Sequence, residues 1–235
     1  MIRKFLLVSG LAAGFAALLT GGSLTAAESA PPTPPKPPAK AAPAKPAPAK
    51  PFVPIDQATA LQKANAYLNE TQTMIADFVQ IGADGRRSEG KLLVQKPGHL
   101  RFEYAAPATL DIIADGTNVA VIDRKVSTQE VYFIWQTPLK FLLKDQIDLA
   151  HDVTVTDVAS DPNSVSIMIE DKNTFGGTSH IKLVFDPAKF ALKQWQVTDP
   201  QGNEVLVSLF NVDTARKPDP ATFRIFPAFP FSTNN

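Results

Sequence analysis

Residues 89–123, "EGKLLVQKPGHLRFEYAAPATLDIIADGTNVAVID", decide the fold of this chain. Every second residue is apolar: Leu92 and Val94 before the Lys-Pro-Gly break, then Leu100, Phe102 and Tyr104 after it. A period of two is the signature of a strand with one oily face, because successive side chains point to opposite sides. Pro97-Gly98 and Asp115-Gly116 separate the runs, and Asp-Gly between alternating segments is a strong hairpin signal because both residues tolerate positive φ. The same alternation sets a puzzle, since Lys96 falls in register with Leu92 and Val94.

The rhythm extends in both directions. Strands are expected at 74–81, 89–96, 99–105, 110–115, 117–123, 128–134, 151–158, 164–171, 178–186, 190–199 and 203–212, mostly joined by short connections. No alternation of strand and helix appears, which excludes a dinucleotide-type parallel sheet. The fold class is therefore mainly β with short helices, a single antiparallel meander of about eleven strands. So many twisted strands curl towards a barrel. Whether its apolar concave face encloses a cavity or is filled by helices and large side chains, periodicity leaves open.

Two helices interrupt the strands. Asp56 is placed to cap "DQATALQKANAYLNET", in which Ala58, Leu61, Ala64, Asn65 and Leu68 recur at helical spacing. "QTPLKFLLKDQI" has Thr137 as a cap and Pro138 in the first turn, where its missing N–H costs nothing. This second helix carries Leu139, Phe141, Leu142 and Leu143, apolar nearly all round, and must be buried or cover something greasy. Trp135 and Trp195 read as packing residues.

The flanks are of different character. Residues 1–27 read as a cleaved secretory signal peptide: Arg3 and Lys4, an apolar run from Phe5 to Leu19, then Thr25-Ala26-Ala27. Residues 28–54 read as a disordered spacer, with eleven prolines and four lysines in 30–54. The folded domain is assigned to 55–235, where 17 basic residues stand against 22 acidic ones. A mildly acidic domain lacks the footprint of a nucleic-acid binder. The sequence has no cysteine, so a secreted fold must stand on its core without disulfides.

Catalysis finds little support. His99, His151 and His180 are isolated and without metal-ligand spacing, and there is no nucleophile elbow. His151 and Asp152, read as strand neighbours, point to opposite faces. No enzyme, catalytic residue, metal or cofactor is expected.

The stretch from Gly90 onwards resembles the periplasmic outer-membrane lipoprotein-carrier family, the LolA type. The resemblance rests on Phe78-Val79-Gln80, Gly90, Lys96-Pro97, Leu100-Phe102-Tyr104, Pro107, Ile112 to Gly116 and Thr137-Pro138, in that order, and covers roughly 56–226. It implies an incomplete barrel with a helical lid over an apolar cavity. It implies too a monomeric periplasmic carrier that shuttles lipoproteins from an inner-membrane ABC lipoprotein exporter towards the outer membrane, where a receptor or the membrane itself takes the cargo. The acyl-chain site expected is Leu92, Val94, Leu100, Phe102, Tyr104 and Ile113. The lid and its contact are Lys96, Pro138, Leu139, Phe141, Leu142 and Leu143. Two departures stand out: Lys96 replaces the arginine the family usually has before the proline, and Leu100 replaces a frequent aromatic. Lysine lacks the planar multi-donor fork, so a latch at this position must be made differently. By residues alone, Lys96 is either a lid contact or a lysine snorkelling at a strand end. A sensor, or a protein- or glycolipid-binding module of the envelope on the same fold, is the alternative function.

Overall fold

The computed structural model describes residues 52–226. The signal-peptide reading and most of the spacer lie outside them. Asp56 accepts the backbone N–H of Thr59 at 2.9 Å and starts α1, Gln57–Glu70. Its buried stripe is Ala60, Leu61, Ala64 and Leu68. Ala58 is exposed instead, because it falls outside the arc that those four residues share around the helix.

Eleven strands follow: β1 Thr73–Ile81, β2 Arg87–Gln95, β3 His99–Tyr104, β4 Leu110–Asp115, β5 Asn118–Asp123, β6 Thr128–Phe133, β7 Thr154–Ser160, β8 Val165–Thr174, β9 Gly177–Phe185, β10 Leu192–Thr198 and β11 Glu204–Asp213. All pair antiparallel in one sheet of order β6-β5-β4-β3-β2-β1-β11-β10-β9-β8-β7. Neighbours in sequence are neighbours in the sheet except β6 and β7, which form its two edges, while β1 and β11 close the chain ends together. The meander is thus an incomplete barrel whose gap is spanned by the connection from β6 to β7. That connection holds a short 3-10 turn, Ile134–Gln136, then α2, Lys140–Leu143, and α3, Leu149–Asp152.

The expected strand at 151–158 begins later, at Thr154. The Asp148 carboxylate accepts the N–H of Ala150 at 3.1 Å and turns the backbone into α3. His151 and Asp152 are accordingly in a helical turn, not on a strand. Thr137 also differs from its expected role: its hydroxyl donates to Ile134 O at 2.8 Å, closing the 3-10 turn, and does not cap α2. Trp195 is buried, whereas Trp135 is 60% exposed, because it follows the outward-facing Phe133 beyond the sheet edge.

The concave face is apolar along nearly every strand. Phe78, Leu92, Leu100, Ile167, Ile181, Leu183 and Phe185 are almost fully buried there. Helix α1 packs into this concavity, with Tyr67 edge-on to Phe185 at 6.3 Å and the Lys63 ammonium 5.7 Å from the Phe190 ring centre. Close coiling between β2 and β3 depends on Gly90. A Cβ there would lie 1.9 Å from Glu103 O, an impossible contact. Gly90 stands between Phe78 on β1 and Tyr104 on β3, and the rings of those two meet over it at 5.1 Å, edge to face.

Candidate functional site: an apolar cleft under a helical lid

Helices α1 and α2 fill only part of the concavity. The remainder is a cleft of about 150 Å³. Phe102 and Tyr104 of β3, Leu110 and Ile112 of β4, Val121 of β5, Trp195 and Val197 of β10, and Val205 and Val207 of β11 form its walls. Phe102 anchors this surface, packing edge-on to Phe78 at 5.0 Å and to Trp195 at 6.4 Å. Pro138 and Leu139 of the β6–β7 connection, with Phe175, close it from the other side. Three carboxylates, Asp123, Glu130 and Asp199, reach the cleft, and none of the described residues lining it is basic. Two phenols are held at its edge: Tyr104 donates to Gln80 Oε1 at 2.9 Å and Tyr132 to Glu130 Oε2 at 2.6 Å. Burial pushes both phenols above their ordinary range, and the neighbouring Glu130 carboxylate adds to the effect at Tyr132.

The residues expected to bind cargo divide into three groups. Phe102 and Tyr104 line the cleft. Leu92, Val94 and Leu100 share the same concave face but lie beyond the cleft, fully buried in the core with α1 and α2. Ile113 does not belong to the set. In β4 it is Ile112 that points inward, so Ile113 faces outward and packs with Ala120, Ile122 and Ile225 on the convex side. Among the expected lid residues, Pro138 and Leu139 roof the cleft. Phe141, Leu142 and Leu143 are buried in the main core.

Lys96 is 8% exposed, and its ammonium donates to Leu68 O at 2.5 Å. That oxygen belongs to the last turn of α1, where carbonyls lack a helical partner and the helix dipole favours a cation. The lysine on the oily face therefore caps the helix that fills the concavity. Desolvation pushes its pKa down to about 8, against the opposing pull of Asp145. The same hairpin reaches the lid through its backbone: Gly98 N–H donates to Leu143 O at 2.9 Å.

Other residues tie the lid down, and no sequence motif marks them. Lys140 of α2 meets Asp171 of β8, with Nζ at 2.7 and 2.8 Å from the two carboxylate oxygens. Asp171 continues the inward row Val165, Ile167, Ile169, so strand alternation alone places a carboxylate on the oily face. The backbone of the lid's second half is gripped by two side-chain amides one helical turn apart on α1. Asn69 accepts from Ile147 N at 2.7 Å and donates to Ile147 O at 3.0 Å, while Asn65 accepts from Leu149 N at 3.0 Å. Helical spacing had put Asn65 in the apolar stripe; it lies at the edge of that stripe, where an amide reaches the lid.

This arrangement encloses apolar volume. Among the described residues no cluster of three or more His, Cys, Asp or Glu is placed to hold a metal.

The chain is similar to several known proteins. An outer-membrane lipoprotein carrier protein of Methylococcus capsulatus is 24% identical over 180 residues, covering 73% of this chain and 85% of its own length. One from Pseudomonas aeruginosa is 25% identical over 166 residues, 67% of this chain and 78% of its own. The crystal structure of a LolA superfamily protein from Nitrosomonas europaea aligns with 73% of this chain and 98% of its own at 10% identity and a TM-score of 0.42. Residues 69–226 match the family described as outer membrane lipoprotein carrier protein LolA, and the chain belongs to that family.

Proposed function

We propose that the protein is a periplasmic carrier that takes the acyl chains of lipoproteins into its concave face and escorts them from the inner to the outer membrane. Its donor would be an inner-membrane ABC lipoprotein exporter, and an outer-membrane receptor or the membrane itself would receive the cargo. Family membership and the names of the relatives support this reading. The observation that carries it is the apolar cleft beneath a lid held by one ion pair and a few hydrogen bonds.

Volume makes the lid a moving part. A cavity of about 150 Å³ accommodates a molecule of roughly benzene's size, far less than the chains of a lipoprotein. Loading therefore requires the cleft to widen. Cargo enters by displacing α2, whose Phe141, Leu142 and Leu143 occupy the space the chains need. Exposing three such side chains costs roughly 5–9 kcal/mol, and burying a methylene returns about 0.8 kcal/mol. A single long acyl chain offsets that cost, leaving moderate net affinity, which suits a carrier that must also let go.

A synthetic S-diacylglyceryl-cysteinyl peptide tests the reading. It should bind in a one-to-one complex and displace a fluorescent acyl probe, whereas the same peptide without its acyl chains should not compete. Equal competition by the unacylated peptide would contradict the proposal.

A further inference from the structure

The wall of the cleft has a seam. The sheet order ends at β6 and β7, so among the described residues no backbone ladder joins those two strands. Neighbouring strands elsewhere in the sheet are held by rows of hydrogen bonds and do not part without breaking them. A guest that enters sideways therefore enters where side chains alone close the wall.

Two aromatic rings meet across this seam. Tyr132, on the inner side of β6, stands edge-on to Phe175 with ring centres 5.8 Å apart, and both residues line the cleft. Phe175 belongs to the two-residue turn between β8 and β9, on the β7 side of the gap. It is nevertheless 48% exposed, so a single side chain borders both the cleft and the solvent.

The two rings are held unequally. The Tyr132 hydroxyl donates to Glu130 Oε2 at 2.6 Å, which ties that ring to its own strand. Phe175 is tied through its backbone, whose N–H donates at 2.8 Å to Gln136 O in the 3-10 turn of the lid connection. Its ring has no polar atom to anchor it, and an edge-to-face contact is weak enough to break and re-form rapidly. Rotation of Phe175 about its Cα–Cβ bond opens the seam without the loss of a backbone hydrogen bond.

We propose that Phe175 is the gate through which acyl chains pass sideways into the cleft, its ring swinging off Tyr132 while the β8–β9 turn stays bound to the lid connection. Entry at this seam precedes the displacement of α2, which supplies the volume. The inference rests on the carrier reading and adds the route of entry to it. A gate lowers the barrier to entry and exit alike, whereas a residue that merely lines the wall acts on dissociation. Phe175→Ala, at a half-exposed turn position, should fold. In stopped flow with a fluorescent long-chain acyl probe it should raise association and dissociation rates several-fold, with little change in Kd. In the cysteine-free background, Tyr132→Cys with Phe175→Cys, joined by a short reducible bis-methanethiosulfonate, should lose most of its loading rate and recover it on reduction. Unchanged loading in the linked chain, or an effect of Phe175→Ala on dissociation alone, would overturn the gate and leave the carrier reading standing. A wild-type protein that binds no probe would contradict both.

Discussion

Lys140 on the lid and Asp171 on the concave face form an ion pair at 2.7 Å, with the carboxylate 4% exposed. It joins the element that the proposed loading displaces to the sheet that stays in place. Lys140→Met leaves the carboxylate without its cation and should destabilise the protein by about 2 kcal/mol, less than for a fully buried pair because Lys140 keeps some contact with water. Replacing both partners, Lys140→Met with Asp171→Leu, should recover much of that loss. Urea titrations of the three variants supply the cycle. Hydrogen exchange at lid amides such as Leu142 and Leu149 should quicken in the single variant first.

Lys96 gives the closed state a pH signature. Its folded-state pKa is about 8 against an ordinary value of 10.5, so between these values the unfolded chain binds more protons. Stability from this group should rise as pH increases from 8 to 10, and the burial penalty is present in full below pH 8. Above that window the raised phenol of Tyr104 acts in the opposite sense, since the folded state then holds the extra proton. The difference in urea midpoint between wild type and Lys96→Met, followed from pH 7 to 10, should move in favour of wild type. A flat difference would mean that Lys96 is not desolvated.

Substitutions in the cleft and the core should behave differently, though both lie on one sheet face. Ile112 lines the cleft and is only partly buried, so Ile112→Glu should fold and lose acyl binding. Leu100 is 0% exposed, and Leu100→Arg should unfold the domain, because an unpaired charge in that core has no partner. Circular dichroism and probe binding on the two variants separate these outcomes.

Asp123, Glu130 and Asp199 make the cleft inhospitable to anions. A fatty acid should bind more weakly than its methyl ester at neutral pH, and added salt should narrow the gap by screening. Calorimetric titrations of the two ligands at low and high ionic strength measure the difference. Equal affinities would mean that the carboxylates point away from the bound head.

Strand alternation carried most of the architecture, because a half-buried antiparallel sheet writes its period directly into the sequence. All eleven strands lie within about three residues of where the period places them, β7 beginning latest relative to its expected start. The same rule, applied strictly, also marks the charges on the oily face, Lys96 and Asp171. What it could not supply is their partners, since Leu68 O and Lys140 reach them across long separations in the chain. Ile112 and Ile113 show the other limit. Two adjacent isoleucines satisfy either register, and only the pairing with Phe102 and Arg101 decides which faces the cleft. Asn65 and Asn69 were obscure for a similar reason, because an amide beside an apolar stripe gives no sign of the backbone it will grip.

The central claim is that this cleft carries lipoprotein acyl chains, and native mass spectrometry of the protein isolated gently from its source cells tests it most directly. One-to-one complexes with diacylglyceryl-modified proteins are predicted for wild type and should be lost with Ile112→Glu. A wild-type protein that is uniformly free of acylated cargo, or an Ile112→Glu variant that carries as much as wild type, would contradict the account.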